Sequence, residues 1–150
     1  MSWLHPTSTP YHPATNGVAE RAVKTVLEGG RALLDQAGFP AYWWPYATRA
    51  FVFLHNVMPL PVKYAPHFNR FGEHYQGQLI PFGAAVDFKP HPEAGGNRLD
   101  KYAPRSVPGV FLGYEVAPGC KWTGNYLCVE LQGFDPYVKM VPLVHRPRGR

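Results

Sequence analysis

From Val18 onward apolar residues recur at three- and four-residue steps: Val18, Ala22, Val23, Val26, Leu27, Leu33, Leu34 and Ala37. This period predicts an amphipathic helix of about twenty residues with one apolar stripe. Arg21, Lys24, Glu28, Arg31 and Asp35 fall on the opposite face. Upstream, Pro10 and Pro13 push the residues before them out of the α region, so Thr9 to His12 is expected to be extended. Asn16-Gly17 makes the turn or helix start, with Asn16 able to cap free N–H groups. Gly38 supplies a C-cap and Pro40 a restart. A second helix is predicted over Ala41 to Val57, with Trp43, Trp44, Ala47, Ala50, Phe51, Leu54 and Val57 or Met58 on one face. Pro45 is tolerated because it falls near the first turn.

The texture changes at Leu79 to short alternating runs broken by Gly, Pro and Asn. Phe82 to Phe88, Gly109 to Tyr114, Asn125 to Leu131 and Tyr137 to Val141 are strand candidates, and together they read as a small antiparallel barrel or meander. Pro90 to Pro108 is a long, polar, basic surface loop of the kind that carries binding. Pro59 to Gly77 is a connector whose aromatic content predicts packing against a neighbour.

Composition narrows the classes. The chain has 150 residues, enough for one ordinary domain or two small ones, and its 17 prolines and 15 glycines argue for many short elements and turns. Aromatic residues at 15% exceed what a disordered chain carries. A net charge of +5 favours polyanionic partners weakly, with no block of like charges to identify one. Met1 to Pro10 lacks the apolar core of a signal peptide, and no apolar run approaches membrane length, so neither secretion nor a membrane partner is expected. Cys120 and Cys128 read as buried strand thiols in a reducing compartment, while His67 and His74 have no Cys or acid at a ligand spacing.

The residues with candidate chemistry sit at the start of the first helix. At about 100° per residue Glu20 falls at the edge of the apolar stripe, one turn before Lys24. A carboxylate there can be half-covered by a neighbouring sheet yet still reach a metal or a charged ligand, and the helix N-terminus favours its ionised form. From spacing alone the better reading is a first-turn acid that helps the dipole and pairs with Lys24. The Trp43-Trp44 pair could be a base-stacking platform, though at helical spacing beside Phe51 and Leu54 core packing is the better reading. Lys89, Arg98, Lys101, Arg105 and Lys121, with Tyr102 and Trp122, could hold a phosphate backbone and an unpaired base, or could simply be a solvated polar loop. The tail from His145, HRPRGR, could contact DNA, but a short basic terminus is more often disordered.

The run Thr9 to Arg21, TPYHPATNGVAER, resembles the signature around the third catalytic acid of retroviral-type integrases in its copia-type retrotransposon form. Pro10, Tyr11, Pro13, Asn16, Gly17, Val18, Ala19, Glu20 and Arg21 match in place. The second helix resembles the family through Leu54, Asn56 and Pro59, the connector through Tyr64-Ala65-Pro66 and Phe71-Gly72-Glu73, and the later strands through Phe111-Leu112-Gly113-Tyr114. The resemblance implies an α+β fold: the two terminal helices of an RNase H-like integrase core (residues 1–58), a connector (59–78), a small SH3-like β-barrel (79–144) and a basic tail (145–150).

It also implies a function. Glu20 would be the Glu of an Asp-Asp-Glu triad that holds two Mg²⁺ or Mn²⁺ ions for DNA strand transfer, with Asn16, Arg21 and Lys24 near the DNA end. Expected partners are element-end and target DNA, the rest of the Pol polyprotein, and further integrase protomers. The expected location is the nucleus or an intracellular virus-like particle. In the family both Asp residues precede the Glu, whereas no Asp or Glu precedes Glu20 here, and Asp35, Asp87, Asp100 and Asp135 all follow it. Two hard cations need several carboxylate oxygens. The expectation is therefore a chain inactive alone, with Met1 inside a longer ancestral reading frame. The alternative is a stand-alone basic module that binds nucleic acid or protein through the barrel.

Overall fold

The computed structural model describes residues 16–59, 64–89, 102, 106–132, 134–135 and 143–145. Within them the fold is α+β: helices α1 (Gly17–Ala37), α2 (Trp44–Val57) and α3 (Pro66–Phe71), then strands β1 (Ala85–Phe88), β2 (Val107–Ala117), β3 (Lys121–Glu130) and β4 (Leu143–His145). The four strands form one antiparallel sheet in the order β1-β2-β3-β4. This is a meander. Among the described residues β1 and β4 are its edges, and no pairing closes it into a barrel.

The first helix ends where its sequence requires. Gly38 takes φ 67°, a left-handed value that a residue with a Cβ rarely adopts, and its N–H donates to the Asp35 carbonyl. Pro40 then opens a single 3₁₀ turn, Ala41–Trp43, that leads directly into α2, with Pro45 in its first turn. Asn16 makes no side-chain capping bond, contrary to expectation. Each interior glycine costs a helix about 0.5–1 kcal/mol relative to alanine, and α1 carries two, Gly29 and Gly30. Both lie where α2 crosses: a methyl on Gly29 would overlap the Phe51 ring, and one on Gly30 would come within 3.0 Å of Thr48 Oγ1. The pair lets the two helices approach closely.

Helix α2 is the shared wall of the core. Its small residues Ala47 and Ala50 pack with Leu34 of α1, with Trp43, and with Val110, Leu112 and Val129 of the sheet. Directly opposite Ala50 lies Gly113, at φ 142°, so β2 can bulge there and bring its backbone against the helix. The bulge also explains why Phe111, Leu112, Gly113 and Tyr114 are all buried, which plain strand alternation forbids. Leu112 joins the cluster under α1 and α2, while Phe111 and Tyr114 join Phe53, Val57, Phe88, Tyr126 and Cys128.

Several expectations change. Trp44 is 60% exposed, and Phe53, absent from the predicted face, is buried instead at 5%. The first half of the α1 stripe is uncovered, with Val18 at 87% and Val23 and Leu27 also exposed. Phe82 belongs to the helix–sheet cluster and Gly83 to a turn, so the first strand starts at Ala85. Cys128 is a buried strand thiol, but Cys120 is exposed on the turn between β2 and β3. The candidate strand Tyr137 to Val141, the arm Thr9 to His12, most of the basic loop and the Arg residues of the tail lie outside the described residues.

Between the helices and the sheet, the connector packs as its aromatic content predicts. Tyr114 Oη accepts from the Ile80 N–H at 2.9 Å, and Tyr126 Oη accepts from the Gln78 N–H at 2.9 Å. Tyr75 sits edge-on to Phe53, Tyr114 and Trp122. Burial pushes the Tyr114 phenol up to about 12. For Tyr75, burial and then a hydrogen bond with Tyr126 push in the same direction.

Candidate functional site

The four residues singled out at the start of α1 all stand on the helix surface, but the helix divides them. One turn separates each of Asn16, Glu20 and Lys24, and these three share a shallow groove with Ala19, Val23 and Leu27. Arg21 points to the other side, into a second groove with Val18, Ala22, Thr25 and, from α2, Phe51 and His55. A fourfold cluster is therefore not formed. A ridge of three residues carries amide, carboxylate and ammonium groups, with a guanidinium around the corner.

Glu20 is exposed rather than half-covered among the described residues. Its pairing with Lys24 is not what the structure shows. Lys24 Nζ lies 3.7 Å from Glu28 Oε1, the next turn along, with both side chains largely exposed. Such a pair stabilises by only a few tenths of a kcal/mol, so it leaves Lys24 able to swing to another anion. The Arg21 carbonyl accepts from Thr25 Oγ1 at 2.9 Å.

Among the described residues there is no group of three or more His, Cys, Asp and Glu side chains placed to hold a divalent metal. The next acid along the ridge is Glu28, eight residues on, which at 1.5 Å per residue is about 12 Å from Glu20 along the axis. Two hard cations need several oxygens each, so the described residues do not by themselves fit a two-metal centre. His67 and His74 are engaged otherwise: His67 Nδ1 lies 3.1 Å from the Glu73 carbonyl and its ring meets Phe71 at a tilt, while His74 stacks on Phe68.

The second candidate surface, on the sheet, is also revised. Trp122 is not open to an unpaired base: its ring is wedged between Tyr75 and Tyr126 at 5.0 and 5.3 Å, and its Nε1–H donates to the Asn125 carbonyl at 2.8 Å. Tyr102, at 95% exposed, is free to stack. Lys89 and Lys121 are exposed, whereas Arg98, Lys101 and Arg105 lie outside the described residues. Sequence reasoning missed the tyrosines that tie the connector down. The signal was present in Tyr114 and Tyr126, which sit directly opposite each other on β2 and β3. No helix of the described residues is long and apolar enough to cross a membrane.

The chain is similar to the retrovirus-related Pol polyprotein from transposon RE1 of Arabidopsis thaliana, 33% identical over 138 residues, 89% of this chain and 9% of that protein. It is also similar to the Pol polyprotein from transposon RE2 of the same plant, 31% identical over 131 residues, 85% of this chain and 8% of that protein. A third relative is the Pol polyprotein from transposon TNT 1-94 of Nicotiana tabacum, 30% identical over 73% of this chain and 8% of that protein. The chain thus spans less than a tenth of the length of these curated relatives. No protein-family model matches it, and no solved structure does.

Proposed function

Since the chain is homologous over most of its length to a segment of retrovirus-related Pol polyproteins, we propose that it is the C-terminal part of a retrotransposon integrase. In this reading residues 1–58 are the end of an RNase H-like catalytic core and residues 79–144 an SH3-like domain. The observation that carries it is the placement of Glu20. Helix α1 presents Glu20 in an open groove between Asn16 and Lys24, with Glu28 two turns further along the same groove.

The chemistry follows from what these side chains offer. Glu20 would contribute one of the carboxylates that hold Mg²⁺ or Mn²⁺, and the remaining acids would have to come from outside the described residues. A bound metal pair would supply charge stabilisation at a phosphodiester. Lys24 contributes a mobile ammonium for the phosphate of the DNA end, and its weak tie to Glu28 is readily exchanged for a phosphate. Asn16, with its amide uncommitted to a cap, offers both donor and acceptor to a base edge or sugar. Arg21 contacts the DNA backbone from the flank. The chain alone binds DNA without transferring strands, and its natural partners are element-end and target DNA together with the rest of the Pol polyprotein, in the nucleus or a virus-like particle.

A chimera tests this. The homologous 138-residue segment of the transposon RE1 Pol polyprotein is replaced by this chain, and strand transfer into labelled target DNA is measured in Mg²⁺. Transfer is expected with the native chain and its loss, by at least about a hundredfold, with Glu20→Gln. Equal transfer by both versions would overturn the assignment of Glu20. Transfer by neither, with the chimera folded and binding DNA, would overturn the integrase reading of this segment.

A further inference from the structure

A cavity of about 300 Å³ opens between the second half of α2, the short helix α3 and the β2–β3 turn. Val52, Phe53, Val57, Phe71 and Val116 give it an apolar floor. Its polar groups are all neutral or cationic: Thr48, Arg49 and Asn56 from α2, His67 and Arg70 from α3, and Cys120 from the β2–β3 turn. No Asp or Glu lines it, and neither guanidinium has a carboxylate partner among the described residues. Arg70 lies over the Phe71 ring, 5.5 Å from its centre, which holds that cation at the rim.

A volume near 300 Å³ is at the small end of ligand pockets, room for one large side chain or two modest ones. Apolar depth with an unpaired cation from each helix at the mouth complements an apolar group flanked by carboxylates. Nucleic acid fits this arrangement less well, because a phosphate backbone is held by a row of cations along a groove and the cavity is walled mainly by carbon. We propose that this cavity docks an acidic peptide segment of a partner protein, a Leu or Phe side chain filling the floor and the adjacent Asp or Glu carboxylates bridging to Arg49 and Arg70. The segment lies across α2 and α3, the two elements whose relative position shapes the cavity. None of this depends on the role of Glu20.

The test is fluorescence polarisation of the full chain with a fluorescein-labelled peptide, Asp-Asp-Leu-Phe-Glu-Asp. Saturable binding is expected, with a loss of about tenfold or more for each of two peptides, one with Lys at the acidic positions and one with Ala in place of Leu and Phe. The double variant Arg49→Glu with Arg70→Glu, both at exposed positions, is expected to weaken the acidic peptide about tenfold and to improve the Lys peptide. Arg31→Glu, on α1 outside the cavity, is expected to leave both unchanged. Should the double variant fold poorly by circular dichroism, the peptide comparisons on the native chain carry the decision. Absence of saturable binding below about 1 mM, or equal binding of the acidic and Lys peptides, would overturn the proposal. Displacement of the acidic peptide by a lower concentration of single-stranded oligonucleotide would overturn it in favour of a nucleic-acid surface.

Discussion

Replacing Phe53 by alanine tests whether helices and sheet share one core. Phe53 stacks on Tyr114 of β2 at 4.1 Å between ring centres and meets Tyr75 of the connector edge-on at 5.2 Å. It is buried from α2, so the truncation opens a void bounded by all three layers. Removing a buried Phe to Ala costs about 3–5 kcal/mol through lost transfer energy and the cavity left behind. The loss of a close aromatic pair belongs to the same end of that range. Against a total stability of about 5–15 kcal/mol this is a large fraction. With a urea dependence of roughly 2 kcal/mol per molar, the midpoint should fall by about 2 M. The companion Trp44→Ala removes a larger side chain that is 60% exposed, and should cost about 1 kcal/mol or less. Unfolding followed by far-UV circular dichroism and by tryptophan fluorescence should give coincident curves, since Trp43 and Trp122 report on the helix and sheet sides of the same core. The reasoning is refuted if Phe53→Ala shifts the midpoint by less than about 0.5 M, or if the helical signal outlasts the fluorescence change.

Three further outcomes follow from the same structure. Gly113→Ala forces a Cβ into φ 142° opposite Ala50 and should destabilise the fold by about 1–3 kcal/mol in urea titration, whereas Gly17→Ala, in open space, should be neutral or slightly stabilising. Cys120 should react promptly with a thiol reagent at pH 8, while Cys128, buried and pushed up to about 12, should react only on unfolding; counting released thiolate in native and urea-unfolded protein checks this. Tyr114 is held above its unfolded value of 10.0, so its contribution is complete below pH 10 and is lost as pH rises towards about 12. Cys128 acts in the same direction from its ordinary value of 9.0. Urea midpoints should therefore fall between pH 9 and 11, and Tyr114→Phe, less stable near neutrality through the lost bond to Ile80, should show a shallower alkaline decline.

What the sequence determined by itself was local. The length of α1, its stop at Gly38, the placement of Pro45 in the first turn of α2 and the strand character of Phe111 to Tyr114 were legible, because helix period, proline φ and glycine's left-handed freedom act within a few residues. The same locality put Asn16, Glu20 and Lys24 on one ridge. Only the tertiary structure decided which apolar groups are covered. Periodicity marks a stripe but not the element that meets it, so the first half of α1 is exposed, Phe53 replaces Trp44 in the core, and Trp122 is spent between two tyrosines instead of facing a ligand. The bulge at Leu112 and the close approach of Gly113 to Ala50 belong to the same class, because they arise where a helix is pressed on a sheet from more than fifty residues away in the chain. Burial is a property of pairs of surfaces. A single segment carries only one of the two.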